Sequence, residues 1–361
     1  MQKKIIKRVS LTVLAVSVIL LGLNYYFRHY VTRDEVFAAG DKEELSVSLD
    51  NYFSDENYNG VAMVIENGKV LSSSAYGYSN YKTGTPNTLD TLFPVASLQK
   101  MMTAVLIAKS VSDGHLKYDT VLSDFYPDIE YSDEITIREL LDQTSGILMA
   151  ETAPDKVLTT QQEQIDYILD NLESTGDTTF NYTNANYSLL AGILSTVYNE
   201  SYEELFTKEI ITPLKLSQTF FWDNVSDDKV AQAYNSSILL GEYSIGADDF
   251  MNSKPLYSSL IGAGNVLMSA TDLVTFLEGL TNGALITKEQ FADLIQTDPD
   301  YSAAFWGNDE LLQTNGSLGN YKSSVLLNHT GDKMVILISN GSEIESLSDI
   351  ASDIYKQTFD S

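Results

Sequence analysis

No cysteine occurs anywhere in the 361 residues, so thiol nucleophiles, disulfides and zinc–thiolate sites are excluded. Histidine is nearly as scarce, at three residues, and none has the surroundings that a Ser-His-Asp triad needs. His29 adjoins an apolar run, His115 follows Asp113-Gly114 in a turn, and His329 lies between strand-like segments near Gly331. There is no His-Glu-x-x-His run or metal-spaced cluster, so neither a metal nor any other cofactor is expected. Basic residues are also few. Against 50 Asp and Glu stand 22 Lys and Arg, a formal charge of −28, and six of those 22 fall in the first 33 residues, where no acidic residue occurs. The remainder carries 16 basic residues against 50 acidic ones, a formal −34. So acidic a surface repels nucleic acid, which is not expected as a partner, and favours cationic or ammonium-bearing ligands.

What is present argues for a folded, exported protein. Hydrophobic residues make up 43% of the chain and aromatics 11%, enough for a large core in one domain or two interleaved ones. At the N-terminus, Lys3, Lys4, Lys7 and Arg8 precede an uncharged run from Val9 to Phe27. As a helix this run spans about 28 Å, close to the hydrocarbon thickness of a membrane. The preceding positive charges predict that the N-terminus stays inside and the bulk of the chain is exported, with Tyr25, Tyr26 and Phe27 at the outer interface. A cleaved signal peptide is the rival reading. Its best site, Val36-Phe37-Ala38, lies past the run and beyond several charges, so retention is expected. The expected division is a cytoplasmic basic tail (1–8), a transmembrane signal anchor (9–27), a stalk (28–44) and one exported domain (45–361), without internal repeat or linker.

Within that domain, a short amphipathic helix near Leu45–Phe53 precedes a β-hairpin signature, Gly60–Glu66, Asn67-Gly68 and a second run reaching Tyr76. Helical patterns follow at Ile135–Asp142 after Asp133-Glu134, Gln161–Leu172, Tyr187–Val197, Tyr202–Ile211 ended by Pro213, and Thr271–Leu280. Strands return at Leu326-Leu327 and Met334–Ser339, before a last helix over Ile344–Phe359. This order predicts one antiparallel sheet built from both ends of the domain, with a helical region inserted between them.

Ser97 and Lys100 open the most apolar helix, Met101–Ala108. A serine hydroxyl is a poor nucleophile until a neighbour takes its proton, and a lysine does so only as the neutral amine. Burial against an apolar helix and the positive end of the helix dipole both favour that form. The competing reading is a helix N-cap beside a surface lysine. A second Ser-x-x-Lys, Ser79–Lys82, lies in a polar turn among Gly77, Gly84 and Pro86 and cannot hold the pair. Downstream, Tyr182 and Asn184 precede the helix of Ser188–Leu194, placed to reach one cleft: Tyr182 to relay protons, Asn184 to hold Lys100 or a substrate amide.

The ordered set of Ser97-x-x-Lys100, Tyr182-x-Asn184 and a glycine-bearing strand near the C-terminus resembles the serine β-lactamase and penicillin-binding protein superfamily. The likeness is to its class C-like branch of D-aminopeptidases, D,D-carboxypeptidases and D-alanyl esterases. It spans roughly residues 45 to 340 and includes Asn67-Gly68-Lys69, Tyr76-Gly77-Tyr78, Asp90–Phe93, Thr136–Leu141 leading to Thr144-Ser145-Gly146, Pro213-Leu214 and Gly262-Ala263-Gly264. The resemblance implies an α/β (α+β) β-lactamase/transpeptidase-like fold: an antiparallel sheet flanked by helices, plus an all-helical subdomain, here preceded by the transmembrane helix. It also implies an extracellular, single-pass enzyme of the Gram-positive cell envelope acting on a cell-wall polymer or peptide.

The pattern departs from the family on the strand that borders the cleft. Where Lys-Thr-Gly or His-x-Gly is usual, this chain has Thr314-Asn315-Gly316-Ser317. Gly316 keeps the backbone open, and the Ser317 N–H is the expected second oxyanion donor beside that of Ser97. Thr314 stands at the basic position, which counts against gripping the carboxylate of a penicillin or a D-Ala-D-Ala peptide and is compatible with an ester. Gln143-Thr144-Ser145-Gly146, in place of the family's His-Thr-Ser-Gly, is read as structural. The expectation is a Ser97 acyl-enzyme on a D-alanyl ester of a wall polymer such as teichoic acid. The alternatives are a D,D-carboxypeptidase and a non-catalytic wall-binding protein with this fold.

Overall fold

The computed structural model describes residues 49–360, apart from 51, 54–57, 238–241, 246–248, 296–300, 308–309 and 342–345. The expected tail, membrane helix and stalk at 1–44 lie outside the described residues, as does the expected start of the last helix at Ile344.

Strands β1 (Asn59–Glu66) and β2 (Lys69–Tyr76) pair antiparallel across Asn67-Gly68. Both turn residues take positive φ, 52° and 72°, as a two-residue hairpin turn with the right twist requires. Near the C-terminus come β3 (Tyr301–Ser302), β4 (Phe305–Gly307), β5 (Leu311–Leu318), β6 (Tyr321–Asn328) and β7 (Lys333–Gly341). They join the hairpin in one antiparallel sheet of order β3-β4-β5-β6-β7-β1-β2, with β7 lying beside β1. The two ends of the domain therefore share a sheet, as the order of patterns predicted.

Both faces of this sheet are covered, which is why β1 and β7 read as nearly continuous apolar runs. Val61, Met63 and Ile65 face the main core, while Ala62 and Val64 face a second one. Successive side chains of a strand point to opposite faces, so a run buried on both sides cannot alternate with polar residues. The main helices are α1 (Gln99–Ser112), α2 (Ile137–Leu141), α3 (Gln161–Asn171), α4 (Asn184–Tyr198), α5 (Ala270–Thr281) and α6 (Leu347–Phe359). α6 closes the second core through Leu347, Ala351, Ile354 and Tyr355. α1 is buried from Gln99 through Ala108 and packs on α4, at the centre of the main core.

Four local expectations change. α2 starts later than Asp133-Glu134 implied, because Thr136 forms a capping box with Glu139. α4 begins at Asn184, three residues before Tyr187, because the Thr183 side chain accepts the Ala185 N–H. The helix from Tyr202 is not ended by Pro213. It runs through a π-helical stretch, Thr207–Ile211, into Thr212–Leu214, which includes Pro213, and it stops at Lys215 with φ 55°. The inserted region is not all-helical. Phe93–Pro94, Val266–Met268 and Thr219–Phe221 form a three-stranded sheet, and Ile147–Leu148 pairs with Glu173–Ser174.

Candidate active site

Ser97 sits in a 3-10 turn, Ala96–Leu98, that runs directly into α1. Ala96 takes φ 49°, a left-handed conformation costing a residue with a Cβ roughly 1–2 kcal/mol. Its neighbour is tied down: the Val95 N–H donates to Val266 O at 3.2 Å. The chain thus turns sharply just before the serine.

Lys100 is fully buried, which overturns the surface-lysine reading. Its Nζ lies 3.0 Å from Ser97 Oγ, 2.7 Å from Asn184 Oδ1 and 2.9 Å from Ala263 O. The amide and carbonyl oxygens can only accept, so they take two N–H donors in either protonation state. The third position faces Ser97 Oγ, which can donate or accept. In the neutral amine the lone pair therefore points at the serine hydroxyl, the geometry a proton acceptor needs.

Each oxygen partner of Lys100 is held from behind. The Asn184 amide is oriented by Glu151, whose Oε2 accepts from Asn184 Nδ2. The Ala263 carbonyl belongs to the Gly262–Gly264 turn, docked onto α1 by Thr103 Oγ1 donating to Gly262 O at 2.6 Å. Alongside it, Gln99 Oε1 accepts the Asn265 and Val266 N–H groups at 2.6 and 3.0 Å. Gly262 has φ 71°, and a Cβ there would come within 2.7 Å of both Ala191 Cβ and Tyr187 O, so this close approach requires glycine.

Tyr182 lays its ring 4.9 Å from Lys100 Nζ and is 42% exposed, so it forms the solvent-facing wall beside the lysine. Its segment is fixed by Gln143, which is buried. Gln143 O accepts the Asn181 N–H at 2.8 Å, its Oε1 accepts the Thr183 N–H at 3.0 Å, and its Nε2 donates to Thr183 O at 3.1 Å. The structural reading of Gln143 therefore gains a specific content: it clamps the backbone on both sides of Tyr182. Burial pushes the phenols of Tyr187 and Tyr301 well above the usual range, so both stay neutral.

The cleft strand is β5, whose burial alternates. Thr314 and Gly316 are buried, and Asn315 and Ser317 are exposed. Gly316 faces the turn before Ser97, since a Cβ on it would press on the Val95 carbonyl and stand 2.5 Å from Ser323 Oγ. By alternation Thr314 shares that inward side, and the side chains of Asn315 and Ser317 point the other way. What β5 presents along the Ser97 turn is chiefly backbone.

Beside these groups opens a cavity of about 180 Å³ lined by Met149, Glu151, Tyr182, Asn184 and Leu260, among others. Among the described residues no group of three or more His, Asp or Glu could hold a metal ion. His115 packs edge-on against Tyr198 at 5.2 Å. The second Ser-x-x-Lys is no rival, because Ser79 Oγ is taken by Thr85 O and Pro86 O at 3.3 Å each in a short strand.

Residues 43–348 match the Beta-lactamase family. The chain belongs to the beta-lactamase family. This beta-lactamase-family chain is 26% identical over 326 residues to the teichoic acid D-alanine hydrolase of Staphylococcus aureus (strain MRSA252), covering 86% of its own length and 77% of that protein. It is 24% identical over 310 residues to PbpX of Bacillus subtilis (strain 168), covering 85% and 77%. The crystal structure of FmtA from Staphylococcus aureus superposes with a TM-score of 0.76 at 23% identity, covering 89% of this chain and 91% of that one, a likeness of fold. This beta-lactamase-family protein is accordingly a serine hydrolase with a β-lactamase/transpeptidase-like fold.

The geometry brings Ser97, Lys100, Tyr182, Asn184 and the Gly316 backbone into one cleft. Glu151 and the Ala263 carbonyl were not foreseen. Glu151 lies in a short polar stretch, Ala150-Glu151-Thr152, without periodicity or motif, and a backbone carbonyl carries no signal of side-chain type.

Proposed function

We propose that this protein is a cell-envelope serine hydrolase that releases D-alanine from an ester on a wall polymer such as teichoic acid, through an acyl-enzyme on Ser97. Lys100, with Tyr182 beside it, takes the Ser97 proton. Ser97 attacks the acyl carbon, the N–H groups of Ser97 and Ser317 stabilise the oxyanion, and the ester C–O bond breaks as the polymer hydroxyl leaves with the proton returned from Lys100; water then cleaves the D-alanyl–Ser97 ester, freeing D-alanine and restoring the Ser97 hydroxyl. The observation that carries the chemistry is the bonding of buried Lys100, with two obligate acceptors on one side and Ser97 Oγ at 3.0 Å on the other.

The ester preference is supported by three features. The relative from Staphylococcus aureus is named for D-alanine release from teichoic acid. Thr314, neutral and buried, leaves a substrate carboxylate without its usual cation. The chain's excess of acidic residues favours an acyl group that carries an ammonium. The run from Val9 to Phe27 is proposed as a retained single-pass anchor, with 28–44 as stalk and the domain from 45 onward outside the cell.

Labelling of the exported domain by a fluorophosphonate probe, in wild type and Ser97→Ala, tests the nucleophile. Absence of Ser97-dependent labelling sinks the assignment. Release of D-alanine from teichoic acid, compared with release from muropeptides, tests the substrate. Faster cleavage of the peptides overturns the ester reading, and binding of wall polymer with no release from either supports a non-catalytic role.

A further inference from the structure

We infer that Glu151 is the residue that recognises the ammonium of the aminoacyl group, and so makes the site specific for amino-acid esters over simple esters. The inference rests on the D-alanyl ester reading and adds to it the group that would select the substrate.

Four observations converge on Glu151. It lines the cavity beside the reacting groups, together with Tyr182 and Asn184. It is exposed, unlike Lys100, so its charge faces the space a substrate enters. Among the described residues only Oε2 is engaged, accepting from the Asn184 amide; a carboxylate has about four lone-pair sites, which leaves room for a cation. Among the described residues it makes no ion pair, whereas Glu163, Glu200 and Glu209 each meet a lysine.

Position strengthens the case. Asn184 alone separates Glu151 from Lys100, and Lys100 touches Ser97 Oγ. An α-ammonium is attached one carbon from the acyl carbon under attack, so a cation held at Glu151 sits on the lysine side of the reacting ester. The apolar side of the same cavity, Met149 and Leu260, suits a small methyl side chain. A charge-assisted hydrogen bond of this kind is roughly twice as strong as a neutral one. No covalent change at Glu151 is required.

The test compares two esters of the same alcohol, one D-alanyl and one D-lactyl, which differ by an ammonium in place of a hydroxyl. Wild type should prefer the D-alanyl ester by about tenfold or more in kcat/KM. Glu151→Gln keeps an oxygen for the Asn184 amide but removes the charge, and should reduce that preference to near unity. Glu151→Asp, which keeps the charge, should retain part of it. A wild-type enzyme that cleaves both esters equally overturns the ammonium assignment and leaves the esterase reading standing. An unchanged preference in Glu151→Gln, with both rates falling together, also overturns it and makes Glu151 a positioning residue for Asn184. Failure of wild type to cleave either ester overturns the esterase reading and this inference with it.

Discussion

Gly316 of β5 lies against Val95, so that any side chain on it would be driven into the Val95 carbonyl and Ser323 Oγ. The contact sets the width of the cleft, because Val95 ends just two residues before Ser97. Gly316→Ala should push β5 away from the serine, costing about 1–3 kcal/mol of stability through overpacking. It should also lower kcat by on the order of 10², as expected when an oxyanion donor is misplaced. Chemical denaturation and acyl-enzyme burst kinetics measure the two effects. Full activity in a folded Gly316→Ala would refute the role given to β5.

Lys100→Met removes the amine while keeping an unbranched side chain of similar length in a fully buried position. Ester turnover should fall by about 10²–10⁴, the usual contribution of a positioned acid–base group. The variant should still melt cooperatively, because α1 keeps its apolar contacts. Turnover within threefold of wild type would rule out Lys100 as proton acceptor.

Gln143 joins three backbone groups around Tyr182, two through its side chain. Gln143→Ala should cost about 1–3 kcal/mol, since the Thr183 N–H and C=O lose buried partners. It should lower kcat more than it raises KM, because the clamp acts on the Tyr182 wall beside Lys100 rather than on substrate directly. Thermal melts and steady-state kinetics on the D-alanyl ester decide this. A change in KM alone would place Gln143's effect elsewhere.

Stability should depend on pH through Glu203, which does not line the cleft cavity. Burial, with a contribution from nearby Asp223, pushes its carboxyl up to about 7. The folded chain then holds a proton at this group that the unfolded chain has lost above its ordinary value of 4.5. Folding takes up that proton, so stability is fullest below 4.5 and declines as pH rises through about 7. Glu203→Gln should flatten the decline in melting temperature between pH 5 and pH 8. An equally steep decline in the variant would show that other groups set it.

Pieces whose partners are close along the chain could be read without the fold. Ser97 and Lys100 are three residues apart on one helix, and helix geometry alone puts them on one face. The hairpin around Asn67-Gly68 and the apolar runs of β1 and β7 were legible for the same reason, since turn chemistry and periodicity are local. Contacts across long stretches of chain emerge only on folding: Glu151 with Asn184 over 33 positions, Gln143 with Thr183 over 40, and the Ala263 carbonyl with Lys100 over 163. These depend on how α1, α4 and the Gly262 turn pack, and no periodicity encodes that packing. The start of α4 shifted for a related reason, because the Thr183 cap outweighed the apolar pattern that begins at Tyr187. Sequence thus pointed to Ser97 and Lys100 as the candidate pair, and the folded core supplied the oxygens that aim the lysine at the serine.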